Sequence, residues 1–352
     1  MPTVLITGLN GFVAVHTAVR FLGNGWSVRG TVRSAAKGDK VKALPALEKY
    51  AKEGKVEIVV VEDLVEGDFS EALKGIDAVA HTASPWHFKG ESWASYRDPA
   101  VKGTTNVLQQ AAKVDTVKAV SVVSSFAAIG DFSKSPQEQA DRVYTEDDWL
   151  PTTAKEMEAL SASDEGATAQ WYCASKKYAE LAAREVQKSG VGYSLSTVNP
   201  PVILGPAIHY GPGTTAEDLA NADVSTSNTF AAIAAGKDAT VPSTPFPIYA
   251  EVRNVADAIY LSIIKRNSGR FPLYNGPYDH QLLANRAREL FPELAKAGQI
   301  PVGNPEDTPS SKGVFKLDGS KAEKELGLKY LTLDDTVKDS IEQFIKLGVI
   351  KA

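Results

Sequence analysis

Short continuous apolar runs alternate with longer amphipathic stretches over the first two hundred residues. Unbroken apolar runs are typical of strands buried on both faces of a parallel sheet. Such runs lie at residues 3–6, 26–32, 56–61, 78–80, 119–123 and 193–198. Helical patterns are predicted between them at 11–22, 40–50 and 93–113, and in the stretch from Tyr172 to Val186. This alternation predicts an α/β fold built on a doubly wound parallel sheet.

The pattern loosens after Val202, where turns and loops become frequent. The close spacing of Pro242, Pro245 and Pro247 argues against a central strand there. Residues 133–166 are predicted to be an irregular surface excursion. The remaining predictions are helices at 229–235, 255–265, 281–291, 320–326 and 333–347 and a strand at 271–274. We expect residues 1–202 to form the sheet domain, 248–275 to return to it, and 203–247 with 276–352 to form a smaller C-terminal lobe that closes a substrate pocket.

A strand, a glycine turn and a helix follow one another at the start of the chain. The turn is the stretch Gly8–Ala14. A glycine turn lets a phosphate approach the backbone, and the helix N-terminus offers free N–H groups and the positive end of the helix dipole. The stretch therefore predicts a dinucleotide-binding unit, with an ordinary tight turn as the alternative.

Two cations follow the second predicted strand. An NAD-binding unit usually carries an acidic residue here, which holds the ribose hydroxyls. This chain has Arg33, with Lys37 four residues later. Two cations suit a 2′-phosphate, so the pattern favours NADP(H) over a solvated basic loop.

Polar residues follow three other predicted strands. Asp63 ends the third strand, at the edge where doubly wound sheets bind ligands. Ser124 and Ser125 end the fifth strand over the same crevice. No Gly-x-Ser-x-Gly elbow is present, so Ser125 is expected to donate a hydrogen bond to a carbonyl oxygen; capping of a loop is the alternative. His81 is expected to be a structural turn residue, since its spacing to His87 fits no metal site.

Tyr172 and Lys176 stand four residues apart in a predicted helix, so they share one face. An ammonium near a phenol favours the phenolate and lowers the pKa of the tyrosine. Such a tyrosine can give a proton to a developing alkoxide or take one back. Alone, the pair is equally compatible with an amphipathic helix that carries both residues by chance.

Composition narrows the classes of protein. The 352 residues carry a net charge of −5, which gives no overall basic field for nucleic acid. The single cysteine, Cys173, excludes an intramolecular disulfide and multi-cysteine metal sites. We expect no metal, no membrane segment and a cytoplasmic location, because neither a signal peptide nor a long apolar stretch is recognisable.

Six stretches, taken in order, resemble one family. They are residues 7–14, 81–85, 124–125, 172–176, 199–202 and 252–256. The chain resembles the extended short-chain dehydrogenases/reductases from Thr3 to about Leu347. Its closest similarity is to the dihydroflavonol-4-reductase-like carbonyl reductases, among them the fungal methylglyoxal and ketone reductases. The resemblance implies a Rossmann-type fold and NADPH-dependent reduction of a ketone or aldehyde.

The resemblance also implies roles for individual residues. Ser125 would polarise the carbonyl, Tyr172 would give the proton, and Lys176 would lower the pKa of Tyr172 and hold the nicotinamide ribose. The implied cofactor contacts are Gly8, Asn10, Gly11, Phe12 and Val13 at the pyrophosphate, Arg33 and Lys37 at the 2′-phosphate, Asp63 and Leu64 at the adenine, Ala83 beside the cofactor, and Pro200 and Val202 at the nicotinamide. The substrate-pocket candidates are Trp86, Phe126, Phe132 and Tyr210, each also compatible with core packing. Asn106 is either a counterpart of the catalytic asparagine of simpler relatives or a tie between helix and sheet.

Two rival functions share these features. A nucleotide-sugar epimerase or dehydratase has the same fold and Tyr/Lys pair, but commonly retains NAD, against which Arg33 and Lys37 argue. A cofactor-sensing regulator would bind NADP without turnover and would not need a proton donor. The leading prediction is a reductase of small neutral carbonyl compounds, with the natural substrate, the stereochemistry and the oligomeric state left open.

Overall fold

The computed structural model describes residues 1–84 and 90–351. Its strands, numbered in chain order, are β1 Thr3–Ile6, β2 Ser27–Val32, β3 Val56–Val60, β4 Ala78–His81, β5 Ala119–Val123, β6 Val143–Tyr144, β7 Ser194–Asn199, β8 Val202–Leu204, β9 Ile248–Glu251, β10 Gly269–Pro272, β11 Gly276–Pro277 and β12 Lys316–Leu317. Seven of them form one sheet in the order β10-β7-β5-β4-β1-β2-β3. All neighbouring strands in this sheet are parallel. The prediction of a Rossmann-type doubly wound parallel sheet is confirmed.

Helices connect and cover these strands. The α-helices are α1 Phe12–Gly23, α2 Ala35–Lys42, α3 Glu48–Lys52, α4 Ser70–Leu73, α5 Trp93–Ala111, α6 Ala154–Ala159, α7 Ala167–Lys188, α8 Ala216–Ala220, α9 Val224–Ile233, α10 Val252–Ile264, α11 His280–Leu290, α12 Pro292–Lys296 and α13 Leu333–Lys346. Short 3₁₀ turns lie at Phe126–Ala128 and Pro309–Lys312, and a π-helical turn at Ala322–Leu326.

Both faces of the seven-stranded sheet are buried. Successive strand residues point to opposite faces. In β1, Leu5 therefore packs in the core formed with α5 and α7, while Val4 and Ile6 pack in the core formed with α1 and α10. This two-sided burial explains why the strands appear in the sequence as continuous apolar runs.

The strand order reverses at β1. The chain runs from β1 outward to β2 and β3 on one side, then returns to build β4, β5 and β7 on the other. Doubly wound sheets bind ligands at the carboxyl ends of the strands beside such a switch point. The candidate site residues are therefore expected around the ends of β1, β4, β5 and β7.

A smaller three-stranded sheet, ordered β11-β9-β8, lies within a second apolar core. This core includes residues of α9, α11 and α13. The range 248–275 divides between the two sheets: β10 pairs with β7 in the large sheet, α10 packs on α1, and β9 pairs with β8 and β11 in the small sheet. The division into a cofactor domain and a substrate lobe stays a prediction.

Several predicted elements are wrong in detail. The helix predicted at 40–50 is two helices, α2 and α3, because Pro45 lies between them and cannot continue a helix. The excursion at 133–166 contains α6, which begins with a capping box of Thr153 and Glu156. It also contains β6, which pairs with β12. These short elements lack the periodicity on which the predictions depended.

No helix in the described part of the chain is both long and apolar enough to span a membrane. Within residues 1–84 and 90–351, no group of three or more His, Cys, Asp or Glu side chains is placed to hold a metal ion.

Candidate active site

A cavity of about 360 Å³ lies at the carboxyl ends of β4, β5 and β7. Ser125, Tyr172 and Lys176 all line it, although they come from a loop after β5 and from helix α7. Its other described lining residues are Thr82, Ser84, Val123, Ser124, Phe126, Ala127, Phe132, Ala169, Cys173, Pro200, Pro201, Val202, Ile203, Asp223, Val224, Ser225 and Phe246. The fold thus brings the three predicted catalytic residues to one cavity.

Helix α7 places Tyr172 and Lys176 one turn apart. The Nζ atom of Lys176 lies 5.5 Å from the centre of the Tyr172 ring and donates a 2.6 Å hydrogen bond to the Oγ atom of Ser84. Burial lowers the pKa of Lys176 to about 8, which leaves it mostly protonated at pH 7 and able to lose its charge in mildly basic solution.

Burial has the opposite effect on the neighbouring phenol. It raises the pKa of Tyr172 above its ordinary value, and Cys173 adds to the shift. Desolvation of the phenolate thus sets the direction of the shift, and the expectation that Lys176 lowers the pKa of Tyr172 from this raised value stays a prediction. The consequence is that Tyr172 is a protonated phenol at neutral pH, which is the form needed to donate a proton.

The hydroxyl group of Ser125 is oriented by the turn that follows β5. Its Oγ atom accepts a 3.1 Å hydrogen bond from the N–H of Ala127 and so caps the 3₁₀ turn. This bond uses a lone pair and leaves the hydroxyl proton available for another acceptor. The backbone is also held by the loop after β7, because the N–H of Phe126 donates a 2.9 Å hydrogen bond to the carbonyl of Pro200.

A buried carboxylate behind the cavity ties three strands to helix α7. Glu180 accepts hydrogen bonds from Ser124 Oγ at 2.6 Å, Asn199 Nδ2 at 2.7 Å and Thr197 Oγ1 at 3.0 Å. Its charge is paired with Arg270 Nε at 2.6 Å, and both side chains are almost fully buried. This network could not be predicted from the sequence, because Arg270 lies ninety residues from Glu180 and no local motif links them.

The glycine turn has the shape predicted for a phosphate-binding loop. Gly8 has a positive φ of 69°, and a Cβ atom there would lie 3.1 Å from the Cβ of Ala83, so a side chain would be both strained and crowded. Helix α1 begins after Gly11, which makes no side-chain cap. The first N–H groups of α1, at Phe12 and Val13, are thus available to an anion.

His81 forms a hydrogen bond with Thr7, the residue that precedes this turn. The Thr7 hydroxyl accepts hydrogen bonds from the N–H groups of Thr82 and Ala83, so its proton is directed to Nδ1 of His81, 2.9 Å away. Burial, with a contribution from Lys176, lowers the pKa of His81 to about 4. A neutral, hydrogen-bonded His81 matches the structural role predicted for it; His87 lies outside the described residues.

Arg33 and Lys37 lie at the other end of the predicted cofactor path. Arg33 directly follows β2 and Lys37 lies in the first turn of α2, and both are exposed. Neither forms an ion pair with any residue in the described ranges. Lys37 lines a groove of about 780 Å³ together with Asn10.

The loop after β3 carries the predicted adenine contacts. Asp63 is exposed and its Oδ1 atom accepts hydrogen bonds from the N–H groups of Val65 and Glu66. Leu64 packs against Gly103 of α5. Asn106 donates to the carbonyl of Leu64 at 3.2 Å, so it ties helix α5 to this loop; whether it also has a catalytic role is not tested by this contact.

The aromatic pocket candidates separate into three groups. Phe126 and Phe132 line the cavity, as do Pro200 and Val202. Tyr210 does not; it lines the groove with Asn10 and Lys37. The loop after β8 thus carries Tyr210 towards α1 and α2, and its contact with the substrate stays a prediction. Trp86 lies outside the described residues. Asp223, Val224 and Phe246 complete the cavity wall and were not predicted, because they lie in loops or at a helix start without a recognisable motif.

The chain is similar to known proteins along nearly its whole length. Residues 63–244 match a protein-family model described as male sterility protein. An uncharacterised oxidoreductase of Schizosaccharomyces pombe is 36% identical over 351 residues, which cover 97% of this chain and 96% of the relative. The NADPH-dependent methylglyoxal reductase of Saccharomyces cerevisiae is 30% identical over 361 residues, which cover 98% of each chain.

Similarity extends to solved structures. The crystal structure of Gre2 from Candida albicans in complex with NADPH superposes with a TM-score of 0.82 at 28% identity, covering 99% of both chains. The family match, the full-length relatives and the shared fold agree with the six motifs found in the sequence. The chain belongs to the extended short-chain dehydrogenase/reductase family.

Proposed function

We propose that this protein reduces the carbonyl group of a small ketone or aldehyde to an alcohol and uses NADPH as the reductant. The observation that carries the proposal is the convergence of Ser125, Tyr172 and Lys176 on one cavity at the switch point of the sheet. Relatives named as NADPH-dependent methylglyoxal reductase and ketoreductase support it.

The residues present fit a dinucleotide. The crowding of Gly8 against Ala83 leaves room for backbone but not for a side chain, and the uncapped N-terminus of α1 offers N–H donors to a pyrophosphate. Gly8, Asn10, Gly11, Phe12 and Val13 would hold that group. The nicotinamide, when bound, supplies the hydride; Pro200 and Val202 of the cavity wall are proposed to lie beside it.

The chain's own groups would handle the oxygen atom and its proton. Ser125 donates its free hydroxyl proton as a hydrogen bond to the substrate oxygen and polarises the carbonyl. Tyr172 gives its phenolic proton to that oxygen as negative charge develops there. Lys176 stabilises the resulting phenolate electrostatically and is held in place by Ser84. The apolar walls, among them Phe126 and Phe132, exclude water and strengthen these interactions.

Arg33 and Lys37 are proposed to select NADPH over NADH. Both are exposed cations at the end of β2 and start of α2 and make no ion pair within the described ranges. A guanidinium can bind a 2′-phosphate through two donors and stack on the adenine face. Asp63, Leu64 and Ala83 are proposed as the remaining cofactor contacts.

We propose a cytoplasmic location for the protein, as expected from its sequence. We also propose that its substrate is a small, neutral carbonyl compound. The substrate class follows from the wall of the cavity, which in its described part carries no arginine that could bind a phosphate or carboxylate. A cavity of this kind fixes its ligand with few polar groups.

One assay separates the proposal from its rivals. The protein is mixed with NADPH and a panel of ketones, aldehydes and keto esters, and the loss of reduced nicotinamide absorbance is followed. Steady oxidation with formation of the alcohol supports a reductase. An epimerase, a dehydratase or a sensor predicts no net oxidation with any member of the panel, and product analysis after addition of sugar nucleotides then identifies which of these rivals applies.

A further inference from the structure

The cavity wall contains one acidic side chain among its described residues, that of Asp223. Among the described lining residues, Lys176 and Asp223 are the only charged side chains. The Asp223 side chain lines the cavity and is 39% exposed. Its neighbours in the wall are Val224, which is 49% exposed, and Phe246.

Asp223 is held in a fixed position. It caps helix α9: its Oδ1 atom accepts the N–H of Thr226 at 3.0 Å, and its Oδ2 atom accepts the Thr226 hydroxyl at 2.8 Å. His209 lies on its other side, with Nε2 3.3 Å from Oδ2. These hydrogen bonds keep the pKa of Asp223 below its ordinary value although burial opposes them. The group is therefore ionised at neutral pH.

We propose that Asp223 is a specificity-determining residue that excludes anionic carbonyl compounds from this site. The inference rests on the proposed reductase function. Lys176 by itself would attract a substrate carboxylate, which would compete with the phenol for the ammonium. Asp223 offsets that attraction and leaves neutral ketones, aldehydes and esters as the accepted class.

The size of the cavity makes this charge effective. A substrate that fills about 360 Å³ lies within roughly one Debye length, about 8 Å at physiological salt, of every charge in the wall. At an effective dielectric constant of about 20, an unscreened unit charge about 8 Å away changes an equilibrium by roughly 30-fold, and salt reduces this effect. The positive end of α9 and the His209 ring weaken the electrostatic effect of Asp223. We therefore expect Asp223 to disfavour an anionic substrate by about tenfold relative to a neutral one.

Helix capping alone could account for an acidic residue at this position, and the two explanations predict different outcomes. Asn and Ser cap helices about as well as Asp, so replacing Asp223 by either keeps the cap and removes the charge. If Asp223 is only a cap, neither replacement should change which substrates are reduced.

The test compares an α-keto acid with its own methyl ester, benzoylformate and methyl benzoylformate, since the two share the reacting carbonyl and differ in charge. The native protein should reduce the ester with a much higher kcat/KM than the acid. In Asp223→Asn the ratio of the two kcat/KM values should fall by about tenfold, mainly through KM for the acid. Asp238→Asn, at an exposed acid outside the cavity wall, should keep the native ratio.

Two further measurements keep the proposal falsifiable if Asp223→Asn folds poorly. Asp223→Ser should change the ratio in the same direction, and added salt should narrow the ratio in the native protein. An unchanged ratio in a folded variant, or no salt effect, would show that Asp223 is a helix cap only. Failure of the native protein to oxidise NADPH with the ester would instead refute the reductase function, and the Asp223 proposal with it.

Discussion

At the residue scale, the pKa values of two neighbouring groups define the state of the site. Burial keeps Tyr172 a phenol and brings the pKa of Lys176 down to about 8. The same desolvation acts on both and favours the neutral form of each. Tyr172 is thus protonated and able to donate a proton around neutral pH, whereas Lys176 loses its positive charge in mildly basic solution.

This difference predicts the pH dependence of carbonyl reduction. Lys176 carries its charge below pH 8 and loses it above, so kcat/KM should be level from pH 6 to 7.5 and fall above pH 8 by about tenfold per unit. His16 and His81 titrate far below this window, with pKa values of about 3 and 4. Initial rates measured in a series of buffers of constant ionic strength give this pH dependence. A value of kcat/KM that stays constant up to pH 10 would show that the charge on Lys176 is not needed.

The cofactor preference is also a property of single residues. Charge-assisted hydrogen bonds are worth roughly 1.5–3 kcal/mol each, and exposure to water reduces that value. We therefore expect NADPH to bind on the order of tenfold more tightly than NADH, with the difference shrinking in salt. Arg33→Asp should narrow or reverse this preference, as measured by titration of both cofactors.

Lys42→Asp provides the control for that titration, because it makes the same change in charge at an exposed lysine in the last turn of α2. It should keep the preference for NADPH. Equal affinity of the unmodified protein for the two cofactors would mean that Arg33 and Lys37 form only a solvated basic loop.

At the element scale, the buried pair of Glu180 and Arg270 joins α7 to the ends of β5, β7 and β10. Removing one partner of such a pair leaves an uncompensated buried charge, which typically costs about 3–5 kcal/mol. Glu180→Gln should therefore lower the free energy of unfolding by roughly that amount, as measured by denaturant titration. Glu48→Gln breaks the exposed pair of Glu48 and Lys52 and should change the stability little. Equal effects of the two variants would contradict the role given to Glu180.

Elements with strong local patterns could be predicted from the sequence. The glycine turn, Ser125, Tyr172 and Lys176 each stand next to a periodic strand or helix, so their places in the fold followed from the alternation of those elements. Glu180 and Arg270 could not be paired in advance, because only the packing of α7 on β10 brings them together. Pro45 shows the converse case, in which a single residue overrides an otherwise helical pattern.

The places of Asp223 and Phe246 in the cavity wall could not be predicted either, because they too depend on tertiary packing. Asp223 and Phe246 belong to a helix start and a proline-rich loop, neither of which has a strand or helix period that fixes its direction. Tyr210 lies outside the described cavity lining because its loop leaves the cavity and runs towards α2, a course set by tertiary contacts. The residues proposed for catalysis could thus be located from the sequence, whereas Asp223, which is proposed to select the substrate, could not.

At the scale of the whole molecule, the two sheets contribute different parts of one site. The large parallel sheet carries the glycine turn, Ser125 and helix α7, whereas Asp223 and Val202 come from segments around the small sheet and its core. The cavity is therefore closed by chain segments on both sides. The proposed carbonyl reduction therefore depends on proton transfer by Tyr172 inside this cavity.

The most direct test is the rate of NADPH oxidation with a neutral keto ester by the native protein and by Tyr172→Phe. The phenylalanine keeps the ring and removes the acid, so turnover should fall by about 10²–10⁴-fold while the affinity for NADPH, measured by fluorescence titration, stays near the native value. Cys173→Ala is the control: burial raises the pKa of this thiol to about 12, so it is not a nucleophile at neutral pH and the variant should remain active. Near-native turnover by Tyr172→Phe would contradict the account.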